Sequence, residues 1–218
     1  MKRIDYHDLL LRDFLMNLGR AVAVFMIVTV LFAVMAADLR GEPLPLGGWF
    51  LAAVLDAVLP LSLLVATLFT VGPRAHFKEL NALTSAGFSM FQITWPLFAV
   101  AAVAALYSWL MILGGGSLTG PASVTAGEVQ TSFHAGLAFP AANIFGVAAG
   151  IILASSPNRK SMYSGFLAAF FVVVAYRVVD ATIQILGRHG VLPPVVAGWL
   201  GTVLAAGVLW WMWKRAGL

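Results

Sequence analysis

The chain has 218 residues, of which 61% are hydrophobic and only 10% are charged, whereas about 25% of the residues of a soluble domain are charged. There is too little polar surface to cover a water-facing globule, so residues 1–218 are expected to form a single membrane domain. The chain has no cysteine, which excludes a disulfide framework, thiolate metal sites and a cysteine nucleophile.

Residues 1–20 combine charges with an apolar face. Leu9, Leu10, Phe14 and Leu18 fall near one side of a helix, which predicts an interfacial amphipathic helix that leads into the first membrane span. A secretory signal is the rival interpretation. The segment is long and contains three acidic residues, unlike the short cationic start of such a signal, so we expect it to belong to the membrane domain.

Six apolar runs follow that are long enough to span a membrane. A helix of about 20 apolar residues crosses a hydrocarbon core of about 30 Å, and such runs must be helical because every backbone polar group in lipid needs an internal partner. The predicted spans are 21–37, 49–72, 89–113, 135–155, 161–186 and 193–213. The first is the shortest and is expected to continue into the helix before it. The predicted fold is an all-α integral membrane protein with six transmembrane helices.

The connection between the second and third spans, residues 73–88, predicts a further short helix. Good helix formers fill its middle, and Gly87 fits a C-terminal stop. Its apolar residues Phe77, Leu80 and Leu83 are expected to face the membrane or a partner. The prediction is a short cytoplasmic helix on the membrane surface, and a plain hairpin linker is the alternative.

Most cations lie on one side of the predicted membrane. With a cytoplasmic start, the inside segments are 1–20, 73–88, 156–160 and 214–218. They hold ten of the thirteen Lys and Arg residues, whereas the outside segments hold Arg40 and Arg188. This asymmetry predicts that both termini are cytoplasmic. It also accounts for the net charge of +4 without a nucleic-acid partner.

Residues 77–98, FKELNALTSAGFSMFQITWPLF, resemble the LptF/LptG family of lipopolysaccharide-export permeases. That family carries a pattern like E-L-T-A-L-R-A-A-G-x-S near the start of its third span. The matching residues here are Glu79, Leu80, Ala82, Leu83, Ala86, Gly87 and Ser89, with Asn81 where the family usually has Thr. Residues 58–72 resemble the proline-centred second span of the family, and residues 133–153 and 187–211 resemble its C-terminal part. Order and spacing agree, so the likeness covers nearly the whole chain.

The resemblance implies a permease-like subunit of an ATP-driven lipid exporter in the bacterial inner membrane. A helix at 76–87 would couple to a separate ABC-type ATPase, because this chain has no G-x-x-x-x-G-K-[ST] motif. Glu79 matches the acidic coupling position, and the rest of the implied coupling surface is Phe77, Lys78, Leu80, Leu83 and Gly87. The alternative for Glu79 is pairing with solvent or with a nearby Lys or Arg. The implied partners are a membrane lipid and a second permease copy or relative, or other membrane subunits.

The sequence departs from the family between the third and fourth predicted spans. Family members insert a periplasmic β-jellyroll domain there, whereas this chain has only the polar segment 114–134, which is too short for a folded domain. The lipid is therefore expected to be lipopolysaccharide-like or another amphiphile. A non-catalytic scaffold or accessory subunit that retains the permease fold is the alternative function.

Three charged residues inside the predicted spans are candidates for function, because intramembrane charges are costly. Asp56 lies in the second span, and Arg177 and Asp180 lie three residues apart on one face of the fifth. Arg177 is a candidate to hold an anionic head group, and a structural ion pair with either carboxylate is the alternative. The four histidines have no metal-ligand spacing, and no arrangement typical of an intramembrane enzyme is present. No metal, cofactor or catalytic residue is therefore predicted.

Small residues and prolines in the spans predict details of helix packing. Gly146 and Gly150 form a small-xxx-small pair that allows a neighbouring helix to approach closely. Pro60, Pro96 and Pro140 are expected to kink their spans.

Overall fold

In the computed structural model, which describes residues 6–41, 48–113, 126–155 and 162–216, the chain forms eight helices and no strand within those ranges. The helices are α1 (Tyr6–Arg40), α2 (Gly48–His76), α3 (Glu79–Ser85), α4 (Met90–Leu113), α5 (Ala126–Ala138), α6 (Ala141–Ser155), α7 (Met162–Arg188) and α8 (Pro194–Ala216). Five described helices are long and apolar enough to cross a membrane, and the bent pair α5–α6 raises the number to as many as six. The predicted all-α membrane fold is confirmed.

Helix α1 continues without a break across the predicted boundary between an interfacial helix and the first span. It runs for 35 residues, and no proline interrupts it. Leu10 and Phe14, on the apolar face predicted to lie in the membrane interface, are fully buried in the core of the bundle. Leu9 is exposed. The first part of α1 therefore packs on protein, because helices α2 and α4 cover the apolar face that would otherwise need lipid.

Helix α2 lies at the centre of the bundle and contacts α1, α3, α4, α6 and α7. It is predicted to end before Pro73, but it continues to His76. Pro73 cannot donate a backbone hydrogen bond, and the buried side chain of Val71 just before it holds the last turn against the core. The structure thus extends this span by one helical turn.

Two glycines of α6 allow it to pack closely against α2. A Cβ atom on Gly146 would lie 2.5 Å from the carbonyl oxygen of Pro60, and one on Gly150 would lie 2.6 Å from Cβ of Thr67. No side chain fits in these positions without moving the backbone of α2. The small-xxx-small pair therefore has the packing role predicted from sequence.

The predicted fourth span is a broken helix. Helix α5 begins at Ala126, inside the segment predicted to be a loop, and α6 follows after a break at Phe139 and Pro140 with a bend of 45°. Pro140 lacks the backbone N–H that would continue the hydrogen bonds of the helix. Helix α5 packs against α8 and α7, and this tertiary contact stabilises a helix whose small polar residues give little helical signal.

Several predicted connections lie outside the described residues. These are residues 42–47 between the first two predicted spans, residues 114–125 of the polar segment 114–134, and the inside segment 156–160. Only residues 114–125 separate α4 from α5, a length too short for an independently folded domain.

Candidate functional site

Helix α3 forms a sharply bounded corner between α2 and α4. It covers seven residues, fewer than the predicted 76–87, and Lys78 precedes it in a left-handed conformation with φ of 61°. At its other end Gly87 has φ of 93°, and its N–H donates to Thr84 O at 3.0 Å while Phe88 N–H donates to Leu83 O at 3.2 Å. These two bonds form a Schellman motif, which requires a residue such as glycine. The predicted C-terminal stop at Gly87 is confirmed.

Ser89, the serine of the family pattern in residues 77–98, precedes the next helix, α4, and caps its start. Ser89 N–H donates to Gln92 Oε1 at 2.9 Å, and Gln92 N–H donates to Ser89 Oγ at 3.2 Å. This reciprocal pair is a capping box, and it satisfies two donors at the start of α4. Gly87 and Ser89 therefore fix the corner that joins α3 to α4.

The apolar residues of α3 face the protein. Leu80 is 4% exposed, and both Leu80 and Leu83 pack against the core of the bundle. This corrects the expectation that Leu80 faces the membrane or a partner, because Leu80 is buried in the core beside α2, whereas Leu83 is only partly buried. Phe77 remains 72% exposed, and Lys78 and Glu79 are exposed as well. Of the predicted coupling residues, Phe77, Lys78, Glu79 and Gly87 therefore lie on the outward surface of this corner.

Helices α1 and α2 are joined by polar contacts close to α3. Arg74 forms an ion pair with Asp13 and also donates to Thr70 O at 2.6 Å, and Asn17 Nδ2 donates to Thr70 Oγ1 at 3.0 Å. Within the part of the chain that the structure describes, Glu79 forms no ion pair. The contacts of Asp13 with Arg74 and of Asn17 with Thr70 hold α1 against α2 beside α3. Sequence reasoning missed them because they join residues more than 50 positions apart.

Asp56 belongs to a polar contact between three helices. The hydroxyl of Ser108 on α4 donates to Asp56 Oδ1 on α2, and Asn143 Nδ2 on α6 donates to Ser108 Oγ at 3.0 Å. Ser108 and Asn143 are fully buried. An isolated serine or asparagine in an apolar run gives no sign of which helix it faces, so the sequence singled out only Asp56.

Arg177 does not form an ion pair with Asp56 or Asp180 in the described structure. Its guanidinium lies over the ring of Phe139, 5.1 Å from the ring centroid, which is a cation–π contact. Asp180 accepts a hydrogen bond from Gln184 Nε2 at 2.8 Å. The three predicted intramembrane residues nevertheless share one site, because all three line the same pocket, but they do not close into a salt bridge.

These three residues line a polar pocket of about 290 Å³. Its wall also contains Ser132, Gln184, Arg188 and Thr202. No group of three His, Asp or Glu that could hold a metal occurs among the described residues.

An apolar cavity of about 550 Å³ adjoins this polar pocket. Helices α1, α2, α6, α7 and α8 form its wall, and Ala57, Tyr176 and Arg177 line both spaces. The volume is within the range of small-molecule sites, about 300–1,000 Å³. An apolar cavity that ends at charged residues is complementary to an amphiphile, because it has room for a hydrocarbon chain and polar contacts for a head group.

Comparison with known proteins supplies a family. A family model described as "Lipopolysaccharide export system permease LptF/LptG" matches residues 9–113 and 117–215 of this chain. A search of curated proteins gives no match.

Proposed function

The chain belongs to the LptF/LptG family of lipopolysaccharide-export permeases, and on this premise we propose that it is the transmembrane subunit of an ATP-driven exporter of an amphiphilic lipid. Permeases of this family are integral inner-membrane subunits of an export complex that includes an ATPase, and they are not themselves catalytic. The proposal adds that the ATPase of this system contacts α3 and that the lipid occupies the apolar cavity.

The observation that carries the proposal is that α3 is anchored on its inner side and exposes a charged residue on its outer side. Leu80 and Leu83 anchor α3 to the core, the ion pair between Arg74 and Asp13 fastens the helices beneath it, and Glu79 points outward. A short rigid helix with an exposed charge transmits a push from a partner as a rigid-body movement of the helices that it joins. A permease needs such a surface if the conformational change of a separate ATPase is to move its helices.

The two adjoining cavities support a lipid as the transported molecule. The apolar cavity lies among α1, α2, α6, α7 and α8, and outward-facing apolar side chains such as Phe32 on α1 and Phe171 on α7 border lipid or a second permease. We propose that two permease subunits, identical or related, enclose the lipid path between them. We further propose that α3 lies on the cytoplasmic side, as the distribution of cations indicates.

Coupling is tested by changing Glu79 in the complex with its ATPase. Glu79→Lys reverses the charge at an exposed site without disturbing the core, so we expect at least a tenfold loss of permease-stimulated ATP hydrolysis in nanodiscs. Asp8→Lys is the matched control, because Asp8 is an exposed acid of α1 near the same end of the bundle. It is expected to retain stimulation.

Two results would contradict the proposal. Full stimulation by the Glu79→Lys variant would show that α3 is not the coupling surface. Failure of the wild-type chain to bind any nucleotide-binding protein, with stable binding of other membrane subunits, would favour the scaffold function instead.

A further inference from the structure

We infer that this permease admits a lipid through a hinge movement between two groups of its own helices, about the break at Phe139 and Pro140 between α5 and α6. The α2 group contains α1, α2, α3, α4 and α6, and the α8 group contains α5, α7 and α8. The inference rests on the proposed function, since it states how the proposed lipid cavity opens.

The helices of the α2 group are fastened to one another. Gly146 of α6 lies directly against the backbone of α2. Ser108 of α4 contacts Asp56 of α2 and Asn143 of α6, and the ion pair described above joins α1 to α2. A push on α3, which packs on the same core through Leu80, therefore moves these helices together.

The helices of the α8 group interlock in a similar way. A Cβ atom on Gly187 of α7 would lie 2.3 Å from Cβ of Ala197 on α8 and 3.0 Å from Cγ2 of Thr131 on α5. A Cβ atom on Gly198 of α8 would lie 2.4 Å from Cβ of His134 on α5. Small residues at these points let the three helices approach closely, so α5, α7 and α8 form a second unit.

The boundary between the two groups is packed less tightly. At Gly136 of α5, an added Cβ atom would lie 3.8 Å from Cγ2 of Ile112 on α4, which is an ordinary van der Waals distance. At the α3 end of the bundle, Phe98 of α4 meets Trp213 of α8 with 6.5 Å between the ring centroids. Dispersion contacts of this kind are individually weak, so the groups can separate here without disturbing the interlocked glycines inside each group.

The break between α5 and α6 has the properties of a hinge. Within the described residues it is the one place where the chain passes from the α8 group to the α2 group. The helix bends there by 45°, and Pro140 removes a backbone hydrogen bond that would stiffen it. Hinges are a few residues at the ends of elements that absorb a change in φ and ψ. A rotation at this point moves one group as a body relative to the other.

Both cavities lie on the boundary between the groups. The apolar cavity has walls from α1, α2 and α6 on one side and from α7 and α8 on the other, and the polar pocket separates α2 and α4 from the α8 group. The volume of about 550 Å³ is that of a small-molecule site, and a lipid with two or more acyl chains is larger than such a molecule. Separation of the groups enlarges the cavity for a lipid of that size.

The test locks the boundary with a reversible cross-link in the full chain, which has no cysteine of its own. In the Phe98→Cys/Trp213→Cys variant, a short, reducible bifunctional thiol reagent bridges the two groups. The Phe91→Cys/Phe98→Cys variant is the matched control, because both positions lie on α4 with their rings 5.6 Å apart. The same reagent then joins two points of one helix and leaves the groups able to separate.

The measurement compares two lipids that have the same anionic head group but differ in the number of acyl chains. Phosphatidylglycerol has two chains and lysophosphatidylglycerol has one, and native mass spectrometry counts each bound lipid in mild detergent. The bridge between Phe98→Cys and Trp213→Cys should lower phosphatidylglycerol binding at least fivefold and leave lysophosphatidylglycerol binding unchanged. Reduction of the bridge should restore phosphatidylglycerol binding, and the control bridge should change neither lipid.

Unchanged phosphatidylglycerol binding after bridging would overturn the inference, as would a bridge that removes both lipids together or an unbridged chain that binds only the lysolipid. If loss of the two rings unfolds the first variant, a disulfide between Ile112→Cys and Gly136→Cys crosses the same boundary and should also lower phosphatidylglycerol binding. The Glu79→Lys assay judges the proposed function separately. A bridge without effect and intact coupling removes only the hinge, whereas an effective bridge with no ATPase coupling removes only the ATP-driven export.

Discussion

Single residues set how closely the helices of this protein approach one another. Gly146 and Gly150 put the backbone of α6 against α2, and the nearest atom to a Cβ on Gly146 is a backbone oxygen of Pro60. A flexible side chain moves aside at small cost, but the oxygen moves only with α2 itself. Helix α2 is the central helix of the bundle, so a methyl group at this point disturbs many contacts.

Gly146→Ala is expected to lower the stability of the protein by about 1–3 kcal/mol, the usual cost of overpacking. Gly207→Ala is the matched control, because Gly207 lies in α8 with no atom within 4 Å of its added Cβ. It should be neutral or slightly stabilising, since alanine favours a helix by up to about 1 kcal/mol over glycine. Thermal unfolding in detergent, followed by tryptophan fluorescence, measures both. Equal midpoints for the two variants would contradict the packing argument.

At the scale of elements, the α3–α4 corner explains why the resemblance is carried by the motif at 77–98. Leu80 and Leu83 anchor α3, Gly87 closes it, and Ser89 caps α4. These are local roles that particular residue types perform, so a short sequence pattern can specify them. Glu79 is the acid of that pattern that remains on the outside.

Ser89→Ala is expected to loosen this corner. The variant loses the cap at a cost of about 1 kcal/mol, which corresponds to roughly fivefold faster amide exchange at the start of α4. Ser85→Ala is the control, because Ser85 Oγ donates only to Asn81 O within its own helix and caps nothing. Hydrogen–deuterium exchange of residues 79–95 compares the two. An Ser89→Ala variant that exchanges like wild type would show that the capping box does not hold the corner.

On the scale of the whole molecule, the helices place α3 at one end of the bundle and the α7–α8 turn at the other. The start of α1 lies beside the end of α2, as the contacts between Asp13 and Arg74 show. The distribution of cations predicts that the α3 end is cytoplasmic. A lipid taken up in the apolar cavity would then have its head group toward the periplasm.

Single cysteines test this orientation directly, because the chain has none of its own. Ser85→Cys on α3 and His189→Cys at the end of α7 both replace exposed side chains. A membrane-impermeant thiol reagent added to spheroplasts should label His189→Cys at once and Ser85→Cys only after the membrane is opened. The reverse labelling pattern would show that the topology is opposite to the predicted one. Helix α3 would then be periplasmic and could not contact a cytoplasmic ATPase.

The sequence by itself determined the all-α membrane fold, the approximate spans and the stop at Gly87, whereas the start of α3 at Glu79 came only from the structure. Apolar length, the glycine that ends α3 and the serine that caps α4 act locally, so each can be read from consecutive residues. Tertiary structure alone decided that the start of α1 packs on protein, that Ala126–Ala138 is helical, and that Asp56 meets Ser108 and Asn143. An apolar helix presents similar faces all round, and only packing against particular neighbours determines which polar groups meet inside the membrane.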